Sequence, residues 1–233
     1  MRKLKPCLWA MAVFCVSFAQ PSAAQVVFSS DFNAGAPAQF SGVTTTEGVQ
    51  GFSAVPDFSG SFLRNASSGN PAAKTTLTLT LAAHTFVSLD FLFAALDSWD
   101  GSTGGFAPDF FNVAVNGVTI FSRSFDNFVP GDQSYTRAPL APRADRFDAG
   151  GADWPDAAYD MGADPLFQNI PHTSGTLIVE WWASGAGWTG ATDESWAIEN
   201  LSVSANVIPE PQTWALLLAG LGLLGIAARR RRK

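Results

Sequence analysis

The clearest pattern along the chain is a strict alternation of apolar and polar side chains. Residues 74–81 read Lys-Thr-Thr-Leu-Thr-Leu-Thr-Leu. Leucines fall on one face and threonines on the other, the period of two that a half-buried strand requires. Residues 86–93 repeat the pattern, and Ala82-Ala83-His84-Thr85 between the two runs predicts a hairpin connection. Residues 111–121 carry Val-Ala-Val-Asn-Gly-Val-Thr-Ile. There Asn116-Gly117 supplies the two positive φ values of a type I′ turn. Residues 176–183 set Leu177, Val179 and Trp181 against Ile178, Glu180 and Trp182, and residues 196–205 offer Trp196, Ile198, Leu201 and Val203 to a core. Weaker strand signals lie at 26–32 and 61–64. Residues 127–172, with Pro130, Pro139, Pro142, Pro155, Pro165 and many aspartates, show little period and predict a long surface excursion. Between Gln25 and Asn206 no helical period exceeds two turns. The expected fold is all-β, a β-sandwich of jelly-roll type.

The two ends depart from this pattern. From Thr213 to Ala228 sixteen residues carry no charge, and Arg229, Arg230, Arg231, Arg232 and Lys233 follow. As a helix the run reaches roughly 24 Å against a hydrocarbon core of roughly 30 Å, a span that snorkelling arginines would complete. The expectation is one transmembrane helix with its basic end in the cytoplasm and Trp214 at the opposite interface. At the other terminus Arg2, Lys3 and Lys5 precede an apolar stretch, and Ser22-Ala23-Ala24 forms a small-residue cleavage site. That is the layout of a secretory signal peptide. Phe14 stands before Cys15 where a lipoprotein signal wants a small residue. The chain therefore divides into a signal peptide (1–24), an exported domain (25–206) and a C-terminal segment (207–233).

Pro209-Glu210-Pro211, the short glycine-bearing apolar helix and Arg229 to Arg232 together resemble the PEP-CTERM sorting signal of bacterial exported proteins. The resemblance implies recognition by an exosortase-type membrane protease, cleavage near Pro-Glu-Pro and delivery to the cell surface or extracellular matrix. The phrases Asp-Ser-Trp-Asp-Gly and Asp-Glu-Ser-Trp-Ala-Ile also resemble exported members of this group. Gln39-Phe40-Ser41-Gly42 is similar to the start of a subgroup's Gln-Phe-x-x-Asp motif, but Val43 follows it. No activity comes with the resemblance.

Charge changes the picture once the tails are set aside. The exported domain holds six basic and 19 acidic residues, a net charge of −13. Such a surface repels nucleic acid and suits cations and neutral polymers. Cys7 and Cys15 both precede residue 25, so the exported domain has no disulfide.

Two acid-serine-tryptophan segments are the candidates for chemistry. Asp97-Ser98-Trp99-Asp100-Gly101 ends one strand run, and Asp193-Glu194-Ser195-Trp196 opens the last. If they meet, Asp97, Asp100, Asp193 and Glu194 would surround one cation, and calcium accepts six to eight such hard oxygens. Their other reading is as turn formers. Trp188, in the loop Ser184-Gly185-Ala186-Gly187-Trp188-Thr189-Gly190, and Trp99 are the expected sugar-stacking aromatics. His84 and His172 belong to no spaced metal set, and His172 reads as a surface residue. No Gly-x-Ser-x-Gly elbow or paired-carboxylate spacing is present. The expected function is a structural or glycan-binding component of the envelope or exopolysaccharide matrix, and not an enzyme. The alternative is a polysaccharide-active enzyme using acids of the 97–109 or 145–164 loops.

Overall fold

The computed structural model describes residues 23–102, 105, 107–129, 131–144, 154–208 and 211–231. The expected signal peptide up to residue 22, Asp145, and Pro209, Glu210 and Arg232 of the sorting signal lie outside the described residues. Thirteen strands appear among those described: β1 (Gln25–Ser30), β2 (Phe40–Gly42), β3 (Thr45–Gly48), β4 (Ser61–Asn65), β5 (Thr75–Thr80), β6 (Phe86–Asp97), β7 (Phe110–Val115), β8 (Val118–Ser124), β9 (Ala141–Ala144), β10 (Asp156–Asp160), β11 (Ile170–Pro171), β12 (Thr176–Ser184) and β13 (Glu194–Ala205). They form two antiparallel sheets. One runs β3-β4-β13-β6-β10-β9, with β1 beside β13 and β11 beside β6; the other runs β2-β5-β12-β7-β8.

The alternating runs behave as their pattern demands. Along β5, Thr75, Leu77 and Leu79 point into the core while Thr78 and Thr80 are exposed. Asn116 and Gly117 turn β7 into β8 with φ of 47° and 79°. In β12, Trp181 is buried and Trp182 faces outward, where Lys74 Nζ sits 4.7 Å from its ring centroid. Between the sheets aromatic rings interlock: Phe93 stacks on Phe111 at 4.2 Å, and Phe111 meets Trp196 edge-on at 5.3 Å. Each such buried ring contributes about 1.5–3 kcal/mol through removal of its surface from water.

Three expectations need correction. The residues between β5 and β6 do not make a hairpin, because β5 belongs to the second sheet and β6 to the first; the buried His84 carries the chain across. The 127–172 excursion contains β10, which pairs with β6 inside the larger sheet. Ala157, Ala158 and Tyr159 are all buried, so the strand is covered on both faces and shows no alternation. The outer cover is a second apolar cluster in which Phe52 and Phe58, on and beside the 3-10 turn Gln50–Ala54, pack over Leu92, Leu96 and Ala158.

The third correction concerns the C-terminal segment. It forms helix α1 (Pro211–Arg230), but no helix among the described residues is long and apolar enough to cross a membrane. The uncharged run is short for a bilayer, and Gly220, Gly222 and Gly225 dilute its hydropathy.

Candidate functional site

Strands β6 and β13 are antiparallel neighbours with Glu194 opposite Asp97 and Ser195 opposite Leu96. This register brings the two acid-serine-tryptophan segments together, the condition on which the sequence reading of a shared site depended. Ser98 N–H and Oγ both donate to the carbonyl of Asp193, at 3.1 and 2.8 Å. Asp97, with φ of 67°, turns the chain out of the sheet. The following loop is laced to residues 126–132. Ser102 N–H donates to Asp132 O at 2.6 Å, and Asn127 N–H donates to Trp99 O at 3.1 Å. The Asp126 carboxylate receives N–H groups from Phe128, Val129 and Gly101 at 2.6, 2.6 and 3.2 Å. Gly101 permits this approach, since a Cβ there would lie 1.8 Å from Asp132 O.

The two loops enclose a cleft of about 410 Å³. Trp154, Phe128 and Val129 form its apolar wall, and Ser98, Asp100 and Asp126 its polar one. Trp154 is 42% exposed and meets Phe128 edge-on with ring centroids 5.3 Å apart.

Behind the cleft lies an acidic centre. One carboxylate oxygen from each of Asp100, Asp109 and Glu194 lies within 4.8 Å of the others. Asp109 and Glu194 are 0% and 2% exposed. Asp109 Oδ2 accepts Asp100 N–H at 2.9 Å, and Glu194 Oε2 accepts Thr189 N–H at 2.8 Å. Burial, and secondarily the charge of Asp100, pushes Asp109 up to about 7. Burial and the neighbouring Asp109 push Glu194 up to about 8. Asp100 is raised by burial and by Asp126 and Asp193.

Of the four acids expected around a cation, the fold brings Asp100 and Glu194 together and leaves Asp97 and Asp193 aside. Asp97 N–H donates to Asp156 Oδ1 at 2.8 Å. Asp193 is exposed, and its two oxygens accept Ser98 Oγ–H and Thr189 Oγ1–H at 3.1 and 2.6 Å. These two acids organise turns. Asp109, eight residues beyond the first segment, was read only as one of the 97–109 loop acids of the alternative enzyme and not as a cation ligand, because no motif marks it.

The tryptophans exchange roles relative to expectation. Trp188 is 5% exposed, its indole N–H donates to Ser67 O at 3.0 Å, and it packs edge-on against Trp99 at 5.1 Å. Trp99 is fully buried and donates to Ser195 O at 2.7 Å. Neither presents a face to a ligand, because the glycine-rich loop folds back over the sandwich edge. Trp154, beside a proline and without a period to mark it, is the aromatic that reaches solvent.

At the opposite end of β6 lies a second polar group. His84 and His172 are both buried, with Nε2 of the first 2.6 Å from Nδ1 of the second. His172 is therefore not the surface residue its turn-like context predicted.

No curated protein matches the sequence significantly. Among solved structures, the complex of TmCBM61 with β-1,4-galactotriose shares 10% identity, with 74% of this chain and 92% of that one covered and a TM-score of 0.37. The CBM22-1 xylan-binding domain from Paenibacillus barcinonensis Xyn10C shares 9%, with 81% and 99% covered and a TM-score of 0.34. A Paenibacillus sp. cycloisomaltooligosaccharide glucanotransferase complexed with cycloisomaltoheptaose shares 15%, with a TM-score of 0.34. Here 75% of this chain is covered, but the match spans only 18% of the enzyme. Residues 207–232 match the family model of the PEP-CTERM protein-sorting motif. The chain carries that motif at its C-terminal end, which implies an exported protein sorted by an exosortase.

Proposed function

We propose that the protein is a glycan-binding component of the bacterial surface or exopolysaccharide matrix, and that the cleft beside Trp154 takes the sugar. The observation that carries this reading is the pairing of a half-exposed indole with carboxylates in one concave site. A sugar ring offers an apolar C–H face that stacks on an aromatic plane, while its hydroxyls donate to fixed acceptors. Asp100 and Ser98 stand where those hydroxyls would reach. The net negative domain favours neutral or cationic polymers over acidic ones.

Binding is preferred to cleavage on chemical grounds. A glycosidase needs two carboxyl groups facing the substrate. Asp109 is buried, and Asp126 is occupied by three backbone N–H groups. In this reading the exosortase-type protease acts near Pro209-Glu210-Pro211. Deleting residues 213–233 is then expected to abolish that processing, and processing that persists without them would count against the sorting reading.

The test of the cleft is retention on a panel of polysaccharides by affinity electrophoresis. Trp154→Ala is expected to weaken retention about five- to a hundredfold, if a sugar face on the indole is worth about the 1–3 kcal/mol that other planar rings gain by stacking on an aromatic. Retention equal to the parent overturns the cleft assignment. Release of soluble sugars from any polymer would transfer the protein to the enzyme class.

A further inference from the structure

We propose that Asp100, Asp109 and Glu194 bind one hard divalent cation, calcium by preference, which clamps the two sheets together behind the cleft. Three carboxylates from separate segments converge: Asp100 from the loop after β6, Asp109 from the residue before β7, and Glu194 from the start of β13. Strands β6 and β13 belong to one sheet and β7 to the other.

Convergence of acids alone would be weak evidence, but the hydrogen bonding is incomplete at its centre. Asp109 is fully buried and its Oδ1 accepts no hydrogen bond among the described residues. Among the described residues no basic side chain forms an ion pair with the three acids. The ion pairs seen among the described residues, Arg64–Glu47 and Lys74–Glu180, lie elsewhere. Asp126 and Asp193 nearby add further negative charge. A buried carboxylate oxygen facing other carboxylates requires a proton or a cation.

The donor set selects among cations. It offers carboxylate oxygen with neither imidazole nor thiolate, the preference of calcium and magnesium rather than zinc or copper. Calcium tolerates irregular geometry and completes its shell with carbonyls and water, whereas magnesium demands a near-ideal octahedron. The position also suits a clamp. The exported domain has no cysteine, so an ion joining loops of both sheets does what a disulfide would do in a secreted protein. Asp100 touches both the acidic centre and the cleft wall, so the ion would also hold the cleft floor in place.

The experiment is isothermal titration and thermal melting of the purified full-length protein in detergent at pH 8, after chelator treatment. Calcium chloride, magnesium chloride and zinc chloride are the probes. Expected are one calcium per chain, a melting temperature several degrees higher with saturating calcium, and weaker binding of the other two. Asp109→Asn and Glu194→Gln are expected to abolish both the titration signal and the calcium-dependent shift. They should still fold, because each amide removes a like charge without changing shape. Absence of calcium binding at millimolar concentration overturns the proposal and leaves the pair sharing a proton. Binding that is multiple, or unchanged in Asp109→Asn, also overturns it by assigning calcium to the acidic surface. Trp154→Ala is expected to bind calcium like the parent, so loss of the glycan reading and loss of the cation site are told apart.

Discussion

The two ends of β6 and β13 solve the problem of buried polar groups in opposite ways. The strands are 12 residues each, so their ends stand roughly 36 Å apart. At the end holding Glu194, loops diverge, carboxylates of Asp100, Asp109 and Glu194 converge, and a cleft opens. At the other end Asn206 closes the sandwich. Its Oδ1 accepts N–H groups from Thr85 and Phe86, both at 2.9 Å, and its Nδ2 donates to Thr85 Oγ1 at 2.6 Å. Ile208 N–H then donates to Ala83 O at 2.7 Å at the start of the sorting motif. The end holding Asn206 leads into the sorting motif, and the cleft lies at the other end.

The largest expected effect falls beneath the cleft. Trp99 fills the space between Phe93, Phe125 and Trp188, with ring centroids 5.9, 5.9 and 5.1 Å away. Trp99→Ala is expected to cost about 3–5 kcal/mol, read as a shift in the midpoint of denaturant unfolding. A loss below about 1 kcal/mol would mean that this end is loosely packed and the contrast between the ends is false.

At the Asn206 end, Asn206→Ala removes three hydrogen bonds and leaves two part-buried N–H groups without their acceptor. The expected cost is about 1–3 kcal/mol. Hydrogen exchange should show Thr85 and Phe86 losing protection first, and exchange spread evenly over the domain would deny that Asn206 is a local lock.

The sharpest comparison is the response to pH. Asp109 and Glu194 rise on folding from 3.8 and 4.5 to about 7 and about 8. The folded state therefore holds protons that the unfolded chain has released. In chelator, stability falls as pH rises from about 4 to about 8 through this centre. Glu199, raised to about 7 mainly by burial, acts in the same direction. His172 behaves oppositely. Burial and then His84 lower it below its usual 6.5, so protonation of the unfolded chain weakens the fold as pH falls beneath that value. Three raised carboxyls outweigh the single imidazole where the two ranges overlap, so melting temperatures in chelator should fall from about pH 4 to about pH 8. Asp109→Asn should make that fall shallower, and an unchanged slope in that variant would contradict the assignment.

The sequence was most legible where structure is local. Residues 74–81, the Asn116-Gly117 turn and the inward and outward tryptophans of 181–182 depend on neighbours two residues apart, and each came out as its pattern requires. Strand β10 was hidden because a strand covered on both faces has no alternation to read. The pairing of the two acid-serine-tryptophan segments was legible from their composition and their places at strand ends, but their register was not. Trp188 misled because glycine-rich loops usually lie on the surface, whereas this one turns its indole inward to Ser67.

Composition and terminal motifs by themselves determined the all-β class, the acidic exported domain without cysteine, and the PEP-CTERM sorting motif. These follow from local periodicity, summed charge and contiguous signals, which need no folding to exist. Only the tertiary structure decided that Asp109 joins Asp100 and Glu194, that Asp97 and Asp193 stay outside, and that Trp154 lines the cleft in place of Trp188. Such choices rest on contacts between segments as much as 94 residues apart, as Asp100 and Glu194 are. Sheet register and loop packing alone bring those side chains within reach.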